Sequence, residues 1–173
     1  MDIHTLSPVE DGMGLDLFED LDEQTARPIP AEIRNAINSV KLTVPSRAAL
    51  QTYIVIHGLR FAIASKHPGN SCAMISSGSE IPAPAQIVYI LKFNTPEAPL
   101  TYLAVRRYKP ASIAYDPFSK YPILQTKLWD SCLADVEIIR TSQVLCHFAC
   151  LPIQLGNRSF NAVISLSRVS SFT

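Results

Sequence analysis

The sequence predicts a mainly β domain of the β-rich α+β kind: a small antiparallel barrel or sandwich with one N-terminal helix and a disordered acidic tail. Three observations carry this. From about residue 52 onward, β-branched and aromatic runs recur at short intervals, each closed by Pro, Gly, Asn or Ser clusters. Only one stretch, about residues 31–40, repeats its apolar residues at helical spacing. Charge is also divided along the chain. Eight of the fifteen carboxylates lie in residues 1–23, which hold no lysine or arginine. From residue 24 onward fifteen cations face seven anions, so a chain of zero net charge joins an acidic tail to a body of +8. Such asymmetry points to a polyanion or to a protein partner.

The length of 173 residues suits a tail, residues 1–26, and a single β-rich domain, residues 27–173. Hydrophobic residues make up 47% and charged residues 17%, a globular balance. No apolar run approaches the roughly 20 residues of a membrane-spanning helix. The N-terminus, "MDIHTLSPVEDG", has no basic n-region ahead of an apolar stretch, so no secretory signal is expected. The expectation is a soluble intracellular protein whose four cysteines are thiols.

In the tail, "MGLDLFEDLDEQ" interleaves acids with large apolar residues. Leu17 and Leu21 share a helical face with Phe18 beside them, the pattern of a segment that orders against a groove. These three are the candidate partner-binding residues. In the helix, Ile33, Ala36, Ile37 and Val40 repeat as i, i+3, i+4, i+7, with Pro30 suited to the first turn. "SRAALQ", after Pro45, reads as a further helical turn. "TYIVIHG" and "LRFAIASK" read as a hairpin turning at His57 and Gly58. "HPGNS" is a turn and "CAMIS" a short strand, whereas Pro82 and Pro84 argue against regular structure in "SGSEIPAPA". "QIVYILKF" and "LTYLAVRRY" are the strongest strands and predict a central antiparallel pair. Residues 109–125 form a proline-punctuated connection. "VEIIRTS" and "SFNAVISLSR" read as strands, and "QVLCHFACLPIQL" fits either a helical turn or a strand.

No catalytic constellation stands out. Cys146, His147 and Cys150 offer three ligands, but structural zinc takes four, usually as two pairs, and no second pair follows. On a strand, the two cysteines would share one face and His147 the other, so buried thiols are expected and no metal. No serine sits in a nucleophile elbow, and no glycine-rich phosphate loop is present. The seven scattered acids of the body give no carboxylate cluster for a metal-dependent nuclease. No enzyme activity, cofactor or small-molecule substrate is expected.

The stretch "RRYKPASIAYDPFSKYP" concentrates cations and rings. Arg106, Arg107, Lys109 and Lys120 could pair with phosphates, while Tyr108 and Tyr121 offer stacking faces to unpaired bases. Alternation along β structure would instead send Arg106 and Arg107 to opposite faces, with "YDPF" as a turn. Both readings, nucleic-acid contact and structural corner, stay open at this point.

The blocks "GLRFAIASKHPGNSCAMI", "IPAPAQIVYILKF", "LAVRRYKP", "YDPFSKYPILQTKLW", "VEIIRTSQVLCHFA" and "AVISLSR" run in an order that resembles one known arrangement. It is the C-terminal portion of fungal transposase-like proteins of the Kyakuja, Dileera and Zisupton sort. The resemblance covers about residues 57–168, and the arrangement is more loosely similar to the small β-barrel of bromo-adjacent homology domains. It implies a β-rich accessory domain acting on DNA or chromatin in the nucleus, and it carries over no catalytic residue. The expected function is a non-enzymatic binding module of mobile-element origin with a basic contact surface. The alternative is a protein-interaction domain regulated by its acidic tail.

Overall fold

The computed structural model describes residues 25–76, 81–113 and 116–166. Leu17, Phe18 and Leu21, with the rest of residues 1–24, lie outside them. The order of elements is β1 (Arg27–Pro28), α1 (Ala31–Ser39), β2 (Arg47–Gln51), β3 (Tyr53–Ile56), β4 (Leu59–Ala62) and β5 (Cys72–Ile75). There follow β6 (Ala83–Phe93), β7 (Leu100–Pro110), β8 (Thr126–Arg140), β9 (Val144–Leu155) and β10 (Arg158–Ser165).

The two strongest apolar runs do form an antiparallel pair, β6 with β7, from Ala85↔Arg107 to Phe93↔Leu100. β7 pairs onward with β8, β8 with β10, β10 with β9, β9 with β5, and β5 returns to β6. Six antiparallel strands therefore close into a barrel, which leaves no open edge around the ring. Register shifts in the β5–β9, β6–β7 and β7–β8 pairs supply the local bends that closure needs.

One side of β6 serves two partners in succession. Its first half holds β5 (Ile75↔Ala83 to Cys72↔Gln86) and its second half holds β2 (Gln51↔Ile90 to Ala49↔Lys92). β2 is thus a strand, not the helical turn expected of "SRAALQ". Alanine favours helices, but here pairing with β6 buries Ala48 and Ala49, and that tertiary gain overrides propensity. The expectation for "SGSEIPAPA" also needs correction, because β6 already begins at Ala83. Pro84 pairs with Met74 of β5 but precedes the first β7 pair at Ala85, so it sits where the ladder is one-sided.

α1 lies on the outer side of this pair. Ile33 and Ile37, one turn apart, are buried with Leu91 and Phe93 of β6 and Ala104 of β7. Pro30 is the N-cap, and Val40 ends the helix with 52% of its surface exposed, so the apolar stripe stops at Ile37. On the opposite side of β6, Ile87 and Ile90 join Leu103, Val105 and Ile139 in the largest core cluster. The β3–β4 hairpin adds Ile56 and Phe61 to it. That hairpin turns where expected, with His57 and Gly58 both at positive φ (51° and 76°), as a two-residue turn matched to strand twist requires.

"QVLCHFACLPIQL" resolves as strand. Along it Cys146, Phe148 and Cys150 share one cluster, and His147 lies apart, stacked on Phe61 with ring centroids 4.0 Å apart. Its Nδ1 is 2.9 Å from the Cys72 carbonyl and its Nε2 3.1 Å from that of Arg60, so this one ring links β9, β5 and β4.

Between β7 and β8 the chain makes two 3-10 turns, Pro117–Lys120 and Pro122–Leu124. Asp116 anchors them. Its Oδ1 accepts from the Phe118 N–H and its Oδ2 from the Leu128 N–H, each at 2.9 Å. Phe118 is thereby laid over Leu128, Phe160 and Ala162. Replacing Asp116 with alanine removes both acceptors, and we expect a loss of about 1–2 kcal/mol in urea unfolding. An unchanged urea midpoint would show that the corner does not depend on this carboxylate.

Candidate functional site

The residues first suspected of nucleic-acid contact separate by role. Arg106 forms an ion pair with Glu32 of α1, and its Nε is buried without a hydrogen-bond partner. Arg107 forms an ion pair with Glu137 of β8. Both charges are thus met by carboxylates from neighbouring elements. Tyr108 packs edge-on against Phe148, centroids 5.9 Å apart at 86°. Burial pushes its phenol up to about 12, reinforced by the adjacent Cys150 and Cys72 thiolates when they form. Lys109, Lys120 and Tyr121 are exposed, the first on β7, the second at the end of the first 3-10 turn and the third between the two turns.

A concavity lies elsewhere, a pocket of about 470 Å³ walled by four barrel strands. Met74 comes from β5, Lys127 and Trp129 from β8, Leu145 and Cys146 from β9, and Val163 and Ser165 from β10. Ile81, Pro82 and Gln125 complete the wall. Register explains the convergence. Met74 is opposite Cys146, Val163 is opposite both Cys150 and Lys127, and Trp129 is one alternation beyond Lys127. These positions fall on one face and build a shared apolar wall in which Met74, Trp129, Cys146 and Val163 are buried.

Few polar groups interrupt this wall. The Lys127 ammonium stands 5.5 Å from the centre of the Trp129 ring, within cation–π range. Cys146 Sγ and Ser165 Oγ are 3.2 Å apart, sharing a hydrogen bond. Ile81 and Leu145, by contrast, are 58% and 44% exposed, so they form the mouth and not the floor. A mostly apolar cavity with a few placed polar groups has the composition of a ligand-binding site. Its chemistry suits a large apolar side chain against the indole and a negative charge beside Lys127.

Three further titratable groups depart from their ordinary values. Burial pushes the Cys72 and Cys150 thiols up, and Cys72 is raised further by its neighbour Cys150. Asp130, beside Trp129, is held below the usual carboxylate range chiefly by the Cys132 N–H, then by Arg158 and Lys109. Among the described residues, no three His, Cys, Asp or Glu side chains gather as a metal site. No helix among them is long and apolar enough to cross a membrane.

The sequence reasoning did not single out the pocket, because its walls come from segments up to about ninety residues apart. One signal was present: Trp129 is the sole tryptophan, two residues from a lysine on a strand. Comparison of the chain with family models, curated proteins and solved structures finds no match.

Two measurements check this chemistry. With iodoacetamide under native conditions, the exposed Cys132 should be modified first and Cys72 and Cys150 much later; equal rates at Cys132 and Cys150 would contradict the burial. For Tyr108, the folded pKa is raised, so its contribution to stability is complete below about pH 10 and is lost as pH rises toward 12. Tyr108→Phe should therefore lose less stability across that window than the wild type, and identical alkaline profiles would refute the assignment.

Proposed function

We propose that this domain is a non-enzymatic protein-interaction module that holds a large apolar side chain of its partner in the Trp129 pocket. The observation that carries the reading is the pocket itself, an apolar wall drawn from four strands with one indole and one ammonium at its side. Burying a single large apolar side chain contributes about 1.5–3 kcal/mol, enough to anchor a contact but not to fix its identity. Lys127, on a body of +8, adds a preference for acidic residues flanking the anchor.

Arrayed peptides test this directly, each with one phenylalanine or leucine anchor and either acidic or basic flanks. Acidic anchored peptides should bind and change the fluorescence of Trp129, and Leu145→Glu at the exposed mouth should abolish both effects. Binding indifferent to the anchor, or to Leu145→Glu, would refute the proposal.

A second reading, contact with DNA or chromatin in the nucleus, draws on the exposed Lys109, Lys120 and Tyr121 and on the mobile-element resemblance. It expects labelled duplex or single-stranded oligonucleotide to bind at low salt and to release steeply as salt rises. Lys109→Glu with Lys120→Glu should reduce that binding several-fold, and no binding at low salt would dispose of it.

A further inference from the structure

Taking the pocket reading as its basis, we infer that the group held there is the C-terminal residue of a partner chain. Its apolar side chain lies against the Trp129 indole, and its α-carboxylate meets the Lys127 ammonium.

Three features converge on a chain end. The first is where the pocket lies. Pro82 precedes β6, Gln125 precedes β8, Cys146 stands near the start of β9, and Met74 and Ser165 stand at or next to the ends of β5 and β10. In the closed antiparallel ring these positions all fall at one end of the barrel. Met74, Trp129, Cys146 and Val163 are buried and close the pocket from behind, while Ile81 and Leu145 stand at its mouth. A cavity of about 470 Å³ entered from one side admits a side chain or a chain end, not a length of backbone running through.

The second is charge. Lys127 is the one charged side chain among the described residues that line the pocket. Arg106, Arg107 and Arg158 each meet a carboxylate, of Glu32, Glu137 and Asp130 in turn, whereas no ion pair among the described residues takes up Lys127. One ammonium with no carboxylate on the wall is matched by a ligand that brings a single negative charge.

The third is spacing. The ammonium stands 5.5 Å from the centre of the indole ring, so the anion it takes lies directly beside the group packed on that ring. In an extended peptide the side chains next to an anchor point to the opposite side, and those two residues away stand about 7 Å further along. An α-carboxylate is bonded to the Cα of the anchor residue itself. A C-terminal residue therefore delivers apolar group and charge together, with no second side chain to be ordered. Acidic residues upstream then steer the approach, and the terminus decides which residue enters.

The test uses the full-length chain, whose sole tryptophan, Trp129, reports on the pocket by its fluorescence. The probes are tryptophan-free peptides of one acidic sequence: ending in phenylalanine with a free carboxylate, ending in phenylalanine amide, and with the phenylalanine moved to the middle. N-acetyl-phenylalanine is the fourth probe, a free small carboxylate. The proposal expects the free-acid peptide to bind roughly tenfold more tightly than its amide or the internal-anchor form. Lys127 is exposed, so Lys127→Gln leaves the packing in place; it should weaken the free-acid peptide about tenfold and erase the difference from the amide. N-acetyl-phenylalanine should bind in the same Lys127-dependent way but more weakly, and affinity equal to that of the peptide would overturn a partner chain as the source. Equal binding of the free-acid, amide and internal-anchor peptides, all sensitive to Leu145→Glu, would overturn the chain end and leave the pocket reading standing. If no peptide binds in a Leu145-dependent way, the pocket reading itself falls, and this inference with it.

Discussion

The pairing of β8 with β10 is the constraint on which the rest of the structure depends. Without it, β8 would be one edge of an open sheet and β10 the other. With it, the register Leu128↔Ala162 closes the ring, and the two faces of that seam acquire separate tasks. On one face Leu128, Ala162 and Phe160 receive Phe118 from the Asp116-anchored turns. On the other, Trp129 and Val163 come beside Met74 and Cys146 and form the pocket wall. Fold and candidate site thus share one set of backbone hydrogen bonds, and a slip of one residue would exchange the faces.

How much of this could be read from the sequence follows from the range of the forces involved. The β3–β4 turn was legible because His57 and Gly58 are local chemistry, and α1 because Ile33 and Ile37 repeat within one turn. The β6–β7 pair was legible because both runs are long and apolar. β2 was misread because its strand state comes from β6, about forty residues away, and not from "RAALQ" itself. Pro84 misled for a related reason: a proline excludes a strand only where its missing donor is needed, and the surrounding pairing decides that. The pocket lies furthest from local information, since each strand contributes one or two side chains and the last pairing in the chain brings them together.

The basic stretch shows how a composition signal divides once folded. Alternation on β7 sends Arg106 toward α1 and Arg107 toward β8, and each meets a carboxylate there. Both pairs are partly solvent-exposed and therefore worth little as stability. Their importance is that they engage two of the charges that the sequence offered to phosphate. Tyr108 becomes core, Lys109 and Arg158 lie near Asp130, and of these exposed cations Lys127 lines the pocket, beside Trp129.

In the proposed function, four strands present one wall, with Trp129 in it, to an acidic segment carrying an apolar anchor. The single indole N–H resonance of Trp129 in a heteronuclear NMR spectrum tests it most directly. On adding an acidic phenylalanine-anchored peptide to the full-length chain, that resonance and the amides of Met74, Cys146 and Val163 should shift together along one saturable curve. The amides of Ile33 and Ile37 on α1 should stay in place. A stationary indole, or shifts centred on α1 instead of the pocket wall, would contradict the account.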